Sequence, residues 1–575
     1  MAAGVPPIKR SFSRNNTLKF QSLVKSVSWA EVFTQLSAGN AFKIFHEKFC
    51  SLFNQAFPLI NRKAVKHRQN EWYNEEIDLA RTVKHELYIQ SKNNLIKKSV
   101  YLDFLREYKA LIDRAKREHI GKVIHNASNK GKASWRLVNE NLGKGKQVNT
   151  IKSIVDKGVE ITESTNENEV VKAINDLSSS GSSGFDDISV MTIKSVSKYV
   201  VPVLVFIINL ILATGEFPDI LKIAKVIPLH KKDDKKHVSN YRPISLLSNF
   251  GKIIEKIIYW RLWEFLTQHN LISSSHHGFV KGRSICTAVS SILRYIHNNL
   301  KRGKLTLCVF VDLSKAFDIV NHELLRASLH ELGVSGTALN LLASYLENRK
   351  QYVQMDAHGS KVNSKLESVD IGVPQGSSLG PLLFLIYVNA LKEYFKNLEF
   401  VKVVQYADDT NILISAENTS ELYARLQIVD DRLKSFVASK RLCINTDKSQ
   451  LMLFSKNLAD DSHALSKMGV KLVDSAKFLG IFLDNKLSWS AHTEALCKKL
   501  ATTSFQLKVL RSLVSQKVLK DVYYAHAYSH ISSCIAEWGK VGSSIKVVTF
   551  YGLNSIHRHE SLNVRLGGYE SSGKD

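Results

Sequence analysis

The sequence predicts an α+β fold, and three observations predict it. Apolar runs of strand length recur, among them Leu305–Val311, the pair Phe400–Val404 and Ile412–Ile414, and Phe478–Leu483. Between them stand helical stretches: residues 75–127 with apolar side chains at three- and four-residue steps, the apolar run Val201–Ala213, and an Ile-rich segment from Asn249 to about His269. A chain of 575 residues is also too long for one core, so two to four domains are expected. No repeat with a period of 20–50 residues is visible.

Charge narrows the function. Lys and Arg number 79 against 53 Asp and Glu, a net +26, which points to a polyanionic partner, most often nucleic acid. Residues 1–150 hold 27 Lys/Arg and 12 Asp/Glu, so more than half the excess lies in the first quarter. Lys97, Lys98, Arg106, Lys109, Arg114, Lys116 and Arg117 decorate the helical pattern there; they fit a solvated face or a phosphate-binding one. Six scattered cysteines without a CxxC pair argue against a disulfide scaffold or zinc module and suit a reducing compartment. The N-terminus has no apolar signal region, and Val201–Ala213 is too short to span a bilayer, so it reads as a buried helix. Residues 1–40 are polar and low in pattern, and disorder is expected at the start.

Candidate chemistry lies further on. The stretch Val404-Gln405-Tyr406-Ala407-Asp408-Asp409-Thr410-Asn411-Ile412 reads as two strands joined by a hairpin tip over Tyr406–Thr410. Adjacent carboxylates there repel unless a cation sits between them; a solvated turn is the alternative. Leu305–Val311 reads as a strand buried on both faces that emerges at Asp312, a place for a metal ligand or a helix cap. Gly278-Phe279-Val280-Lys281-Gly282-Arg283-Ser284 could cradle phosphate or simply turn. Gly372–Pro381 is a Gly/Pro-rich turn before an apolar helix, its glycines allowing close backbone approach to a ligand or only tight turning. Gly131-Lys132 and Gly143–Lys146, around a helix containing Trp135, lack the spacing of a nucleotide P-loop.

In order, the blocks Val238–Ser245, His277–Ser284, Phe310–Asp318, Gly372–Ser377, Tyr406–Asp409, Leu442–Asn445 with Lys448, and Phe478–Gly480 resemble the reverse transcriptase of non-LTR (LINE-type), jockey-like retrotransposons over roughly residues 184–485. A YxDD alone is weak; the ordered set is specific. The resemblance implies a right-hand polymerase with fingers, palm and thumb, preceded by a helical basic extension. It implies RNA-directed DNA polymerase activity with RNA template, DNA primer and dNTPs as partners, and two Mg²⁺ ions, with Mn²⁺ as an alternative. Asp312, Asp408 and Asp409 would be catalytic metal ligands, with the Leu313 carbonyl as a backbone ligand. Lys448 would be the general acid for the pyrophosphate. Phe317 would exclude the ribose 2′-hydroxyl, a role compatible with core packing. Gln375 and Gly376 would pack against the incoming nucleotide, which Arg242, Lys281 and Arg283 would approach as cations. Phe478, Leu479 and Gly480 would form the primer grip.

On this basis residues 1–150 are expected to be the basic extension, 151–485 fingers and palm, and 486–575 a partial thumb with a frayed tail. Two departures stand out: His277 occupies a place where many relatives carry Gln, and Ser180–Asp187 lacks the usual Lys-Ala-Pro-Gly pattern. No membrane role is expected, endonuclease activity is expected to be missing from the chain and supplied elsewhere, and a nuclear or cytoplasmic ribonucleoprotein is the expected setting. The competing expectations are a catalytically impaired nucleic-acid-binding relic of a truncated element and an RNA-synthesising or telomerase-like enzyme.

Overall fold

The structure is a computed structural model that describes residues 8–61, 75–92, 100–108, 110–111, 114–115 and 161–539, apart from 180–181, 232–233 and 358–359. The expected Trp135 helix, its flanking Gly-Lys turns and the chain beyond Gly539 lie outside these residues. Helix and sheet are mixed, as expected, in two compact units: residues 1–64 with 153–473, and residues 65–152 with 474–575.

The first unit opens with strand β1 (Ile8–Arg10), paired antiparallel with β2 (Leu59–Asn61). The disorder expected near the start gives way at Arg14–Ser26 to a helix capped by the Ser13 hydroxyl, which accepts from the Asn16 N–H at 3.2 Å. The reason is an aromatic stripe. Phe42, Phe45, Phe49 and Phe53 recur at helical steps on Ala38–Ala56, fully or almost fully buried, and Phe20 packs edge-on against Phe49 and Phe53. Burying each ring is worth about 2 kcal/mol, enough to order a helix whose charge pattern signals nothing. His46 on the same helix sits 3.7 Å from the buried Asp186 carboxylate. Burial lowers its pKa, but the hydrogen bonds to Asp186 and Cys50 outweigh that and raise it to about 9.

The apolar run is longer than expected: the helix runs Val190–Thr214, started by Ser189 and ended by Gly215 in the left-handed conformation. It is long and apolar enough to cross a membrane. Here it is a core helix, packed by the Ala38–Ala56, Glu167–Asp176 and Gly336–Leu346 helices, with Val200, Ile207 and Ile211 fully buried. Its one interior amide, Asn209, exchanges hydrogen bonds with the Thr165 backbone at 2.6 and 3.2 Å.

Two sheets follow. Strand β3 (Ile223–His230) pairs with β4 (Tyr241–Leu246), and then β5 (Leu305–Val311) enters a different sheet. Strands β6 (Arg349–Ala357), β7 (Ser360–Asn363) and β8 (Glu367–Val369) join the first, giving β4-β3-β6-β7 with β8 on β6 and the β3–β6 pair parallel. Strands β9 (Val401–Tyr406), β10 (Asp409–Ala416) and β11 (Gln450–Phe454) complete the other, in the order β11-β5-β10-β9, all antiparallel. On one face of this sheet lies the Ile285–Lys301 helix, whose Asn299 amide donates to Thr306 Oγ1 at 3.1 Å and whose Tyr295 hydroxyl donates to Phe400 O at 2.7 Å. The Thr419–Ser439 helix also packs on β10 and β5, so β5 is covered as its almost continuous apolar pattern requires.

In the second unit, Phe478–Leu483 is not one strand. Strands β12 (Ser475–Phe478) and β13 (Ile481–Asp484) form a hairpin whose two tip residues, Leu479 and Gly480, have φ of 49° and 87°. Positive φ at both tip residues is the geometry that matches strand twist, and Gly480 is the residue that permits it. Helices follow at Ser490–Leu510 and Gln516–Tyr523.

Candidate active site

Register brings the acids together. Thr410 lies opposite Val311, the last pair of the ladder, so Asp409 and Asp312 follow at the same end of the sheet, where the Asp312 charge reaches Asp409. Tyr406 pairs with Asp409, which leaves a two-residue turn, Ala407-Asp408. The tip is therefore shorter than the expected Tyr406–Thr410, and Asp409 belongs to a strand. Ala407 takes φ of 56°, the positive first-turn angle that a tight hairpin needs and that costs a non-glycine residue about 1 kcal/mol or more.

The segment Ser275–Gly278 holds that strained turn. The Gln405 N–H donates to Ser275 O at 2.8 Å, and the His277 N–H donates to Gln405 O at 2.7 Å. His276 thereby bridges β9 in parallel. A Cβ on Gly278 would stand 2.5 Å from the Ala407 nitrogen, so the absence of a side chain lets the two backbones touch. This backing role is what the described contacts give Gly278. His277 Nδ1 lies 2.9 Å from Thr287 Oγ1. Arg283 Nη1 donates to Ser274 O at 3.0 Å and also to His276 O, bracing the same segment. Lys281 and Arg242 are exposed, Lys281 beyond Phe279 and Arg242 on β4.

From the other side the Leu442–Ser449 segment grips Asp312. The Asn445 N–H donates to Asp312 O at 2.8 Å, and the Asp312 N–H donates to Ser449 Oγ at 3.1 Å. Ser449 Oγ in turn donates to Asn445 O at 2.8 Å, which closes a ring around the Asp312 backbone. Leu313 bridges Ile444 antiparallel. Sequence reasoning singled out Lys448 and missed Ser449, although the four-residue spacing from Asn445 carried the signal. Lys448 Nζ stands 3.8 Å from Asp312 Oδ2.

Electrostatics converge as well. Burial, then the charges of Asp408 and Asp312, push the Asp409 carboxyl up to about 6. Among the described residues no three His, Cys, Asp or Glu side chains close into a metal cage. The acids form an open cluster instead, all hard oxygen donors, and crowded negative charge of this kind suits Mg²⁺, which takes one or two carboxylates and completes its shell with water and substrate phosphate.

Phe317 is half-buried and stacks on Phe384, with ring centroids 4.5 Å apart. Gln375 Nε2 donates to Asp318 Oδ1 at 2.7 Å, and Gln375 O accepts from the Ser245 N–H at 2.9 Å. Gly376 has φ of 133°, and a Cβ there would meet Ser245 O at 2.4 Å. All these residues belong to the first unit; Phe478, Leu479 and Gly480 are at the hairpin of the second.

Residues 229–483 match the family model described as reverse transcriptase (RNA-dependent DNA polymerase). This segment is similar to reverse transcriptase domains. Its curated relatives are named as RNA-directed DNA polymerases of transposons and mobile elements. "Probable RNA-directed DNA polymerase from transposon BS" of Drosophila melanogaster is 29% identical over 373 residues, covering 63% of this chain and 41% of the relative. "RNA-directed DNA polymerase from mobile element jockey" of the same organism is 28% identical over 316 residues, 54% of this chain and 34% of the relative. The chain thus spans about two fifths or less of the length of these curated relatives. Among solved structures, telomerase from Candida albicans aligns at TM-score 0.37 and 12% identity over 65% of this chain and 74% of that one, too loose a likeness to argue from.

Proposed function

We propose that the chain is an RNA-directed DNA polymerase that adds dNTPs to a primer 3′-hydroxyl on an RNA template. The approach of Asp312, Asp408 and Asp409 at one end of β5 and β10, inside a segment similar to reverse transcriptase domains, carries the reading. The four-stranded sheet would be the palm, the β4-β3-β6-β7 sheet the fingers, and the helices of the second unit the thumb. Asp312 and Asp408 would ligate two Mg²⁺ ions directly, with the Leu313 carbonyl, while Asp409 tunes the pair. When bound, the ions would neutralise triphosphate charge and activate the 3′-hydroxyl.

The chain's own groups do the rest. Ser449 and Asn445 fix the Asp312 backbone, and Gly278 fixes the turn that carries Asp408. Lys448, already beside Asp312, offers a cation and a proton to the departing pyrophosphate. Gln375 and Gly376 present a flat backbone to the nucleotide, and Phe317 crowds the sugar. Arg242 and Lys281 offer exposed cations to phosphate, while Arg283 acts through the loop it braces. Phe478–Gly480 would grip the primer, and the basic helices would hold duplex phosphates without reading sequence. Such an enzyme would work in a nuclear or cytoplasmic ribonucleoprotein.

Primer extension by the purified chain on an RNA template with Mg²⁺ tests this. Asp408→Ala and Asp312→Ala are each expected to lose about a thousandfold or more in rate, since each removes an ion-holding carboxylate. Equal extension by wild type and variants would refute the assignment. Salt-sensitive binding of primer and template with no incorporation by the wild type would favour the non-catalytic relic.

A further inference from the structure

Glu255 is a buried acid that the reaction as described leaves without a part. It lies on the Asn249–Gln268 helix and is 1% exposed. An ionisable group that deep survives only when its oxygens are paired. Its Oε2 accepts the Ser378 backbone N–H at 2.6 Å and its Oε1 accepts the Tyr345 hydroxyl at 3.1 Å. Two cations flank the arrangement. Arg349, 3% exposed, donates to Tyr345 O at 2.9 Å and lies 4.9 Å over the Tyr345 ring. Lys252 precedes Glu255 by one helical turn, and its charge, like that of Arg349, acts on the carboxylate. Burial pushes the Glu255 pKa up, and the Ser378 N–H, both cations and the Tyr345 hydroxyl oppose that rise without cancelling it.

Ser378 ends the turn that carries Gln375 and Gly376. Within that turn the Ser377 hydroxyl donates to Pro374 O at 3.0 Å and accepts the Gly380 N–H at 2.9 Å. Besides backbone bonds from Gly372 to Val320 and from Val373 to Phe317, three of the outside grips act on Gln375 and Ser378: the Ser245 N–H on Gln375 O, Asp318 on the Gln375 amide, and Glu255 on the Ser378 N–H. The first two grips contact Gln375 itself. The third is a hydrogen bond that a buried helix residue accepts from a backbone amide, and it is strongest when the carboxyl is ionised. Removing the carboxylate would free the end of the turn and leave a shielded N–H unpaired.

We propose that Glu255 is a positioning residue for the incoming nucleotide: its carboxylate holds the Ser378 amide so that Gln375 and Gly376 keep the backbone shape against which the nucleotide packs. This rests on the polymerase reading of that turn. Tyr345 and Arg349 orient the carboxylate from behind.

The test uses the full chain on an RNA template, with a primer ended by a dideoxynucleotide so that the next dNTP binds without reacting. Equilibrium affinity for that dNTP is measured beside KM and kcat on an extendable primer, and beside the melting temperature. Glu255→Gln keeps the shape and removes the charge. It is expected to weaken dNTP binding and raise KM about tenfold, as loss of one charge-assisted hydrogen bond does, while kcat and primer–template affinity change less than about threefold. Tyr345→Phe removes one of the two bonds to Glu255 and is expected to raise KM about two- to threefold. A lowered melting temperature with wild-type dNTP affinity in Glu255→Gln would make the residue merely structural and overturn the proposal. If Glu255→Gln fails to fold, wild-type dNTP affinity in Tyr345→Phe overturns it. Absence of dNTP binding by the wild-type complex would instead defeat the polymerase reading on which it rests.

Discussion

Asp409 occupies a strand position, which fixes its side chain against the sheet instead of letting it swing with a loop. That confinement is why its neighbours' charge reaches it. With its carboxyl held at about 6, it is mostly protonated at pH 5 and mostly ionised at pH 7. A divalent cation needs the ionised form. The Mn²⁺ or Mg²⁺ concentration for half-saturation is therefore expected to rise about tenfold from pH 7 to pH 5, following the ionised fraction. Asp409→Asn should flatten that dependence in a titration of metal binding without substrate; an unchanged slope would remove Asp409 from the site. Phe317 answers to two demands, since it stacks on Phe384 and stands five residues past Asp312. Phe317→Ala should raise ribonucleotide incorporation relative to deoxynucleotide by ten- to a hundredfold, about the range a lost steric contact gives. It should also cost about 2 kcal/mol of stability from the half-buried ring. Unchanged sugar selectivity would leave Phe317 as a packing residue.

At the scale of elements, the Ala407-Asp408 turn depends on a segment more than 120 residues earlier in the chain. Gly278→Ala places a methyl 2.5 Å from a backbone nitrogen, which a flexible side chain could yield to but a strand end cannot. Extension is expected to fall about tenfold or more through displacement of Asp408, with a stability loss in the ordinary range of about 1–3 kcal/mol. Wild-type rates in Gly278→Ala would show that the turn is held by other contacts. The Phe478–Leu483 run teaches the complementary lesson. Its apolar residues read as one strand because Leu479 hides a turn that only the positive φ at Leu479 and Gly480 reveals.

At the scale of the molecule, the N-terminal residues are built into the first unit. His46 and Asp186 tie the Ala38–Ala56 helix to the loop before the Val190–Thr214 helix. The folded-state pKa of His46, about 9, stands above the unfolded 6.5. Its contribution is therefore fully present below pH 6.5 and is lost as pH rises through 9, worth at most about 3 kcal/mol. Urea unfolding of the full chain should show that loss between pH 6.5 and 9, and His46→Gln should abolish it; the same slope in the variant would discard the pair as a stabilising element. Sequence by itself showed the order of blocks, their likeness to reverse transcriptases, and the three acids as candidates, because motif chemistry is local and a carboxylate beside a strand is visible in one dimension. It also announced the long helices, whose periodicity is local too. Tertiary structure alone decided that the charge of Asp312 reaches Asp409, that Ser449 holds the Asp312 backbone, that Gly278 backs the Ala407 turn, that Glu255 holds the Ser378 amide, and that residues 8–61 pack with the first unit. Those outcomes depend on strand register, close backbone approach and aromatic packing between segments far apart in the chain, and such contacts exist only once the chain has folded.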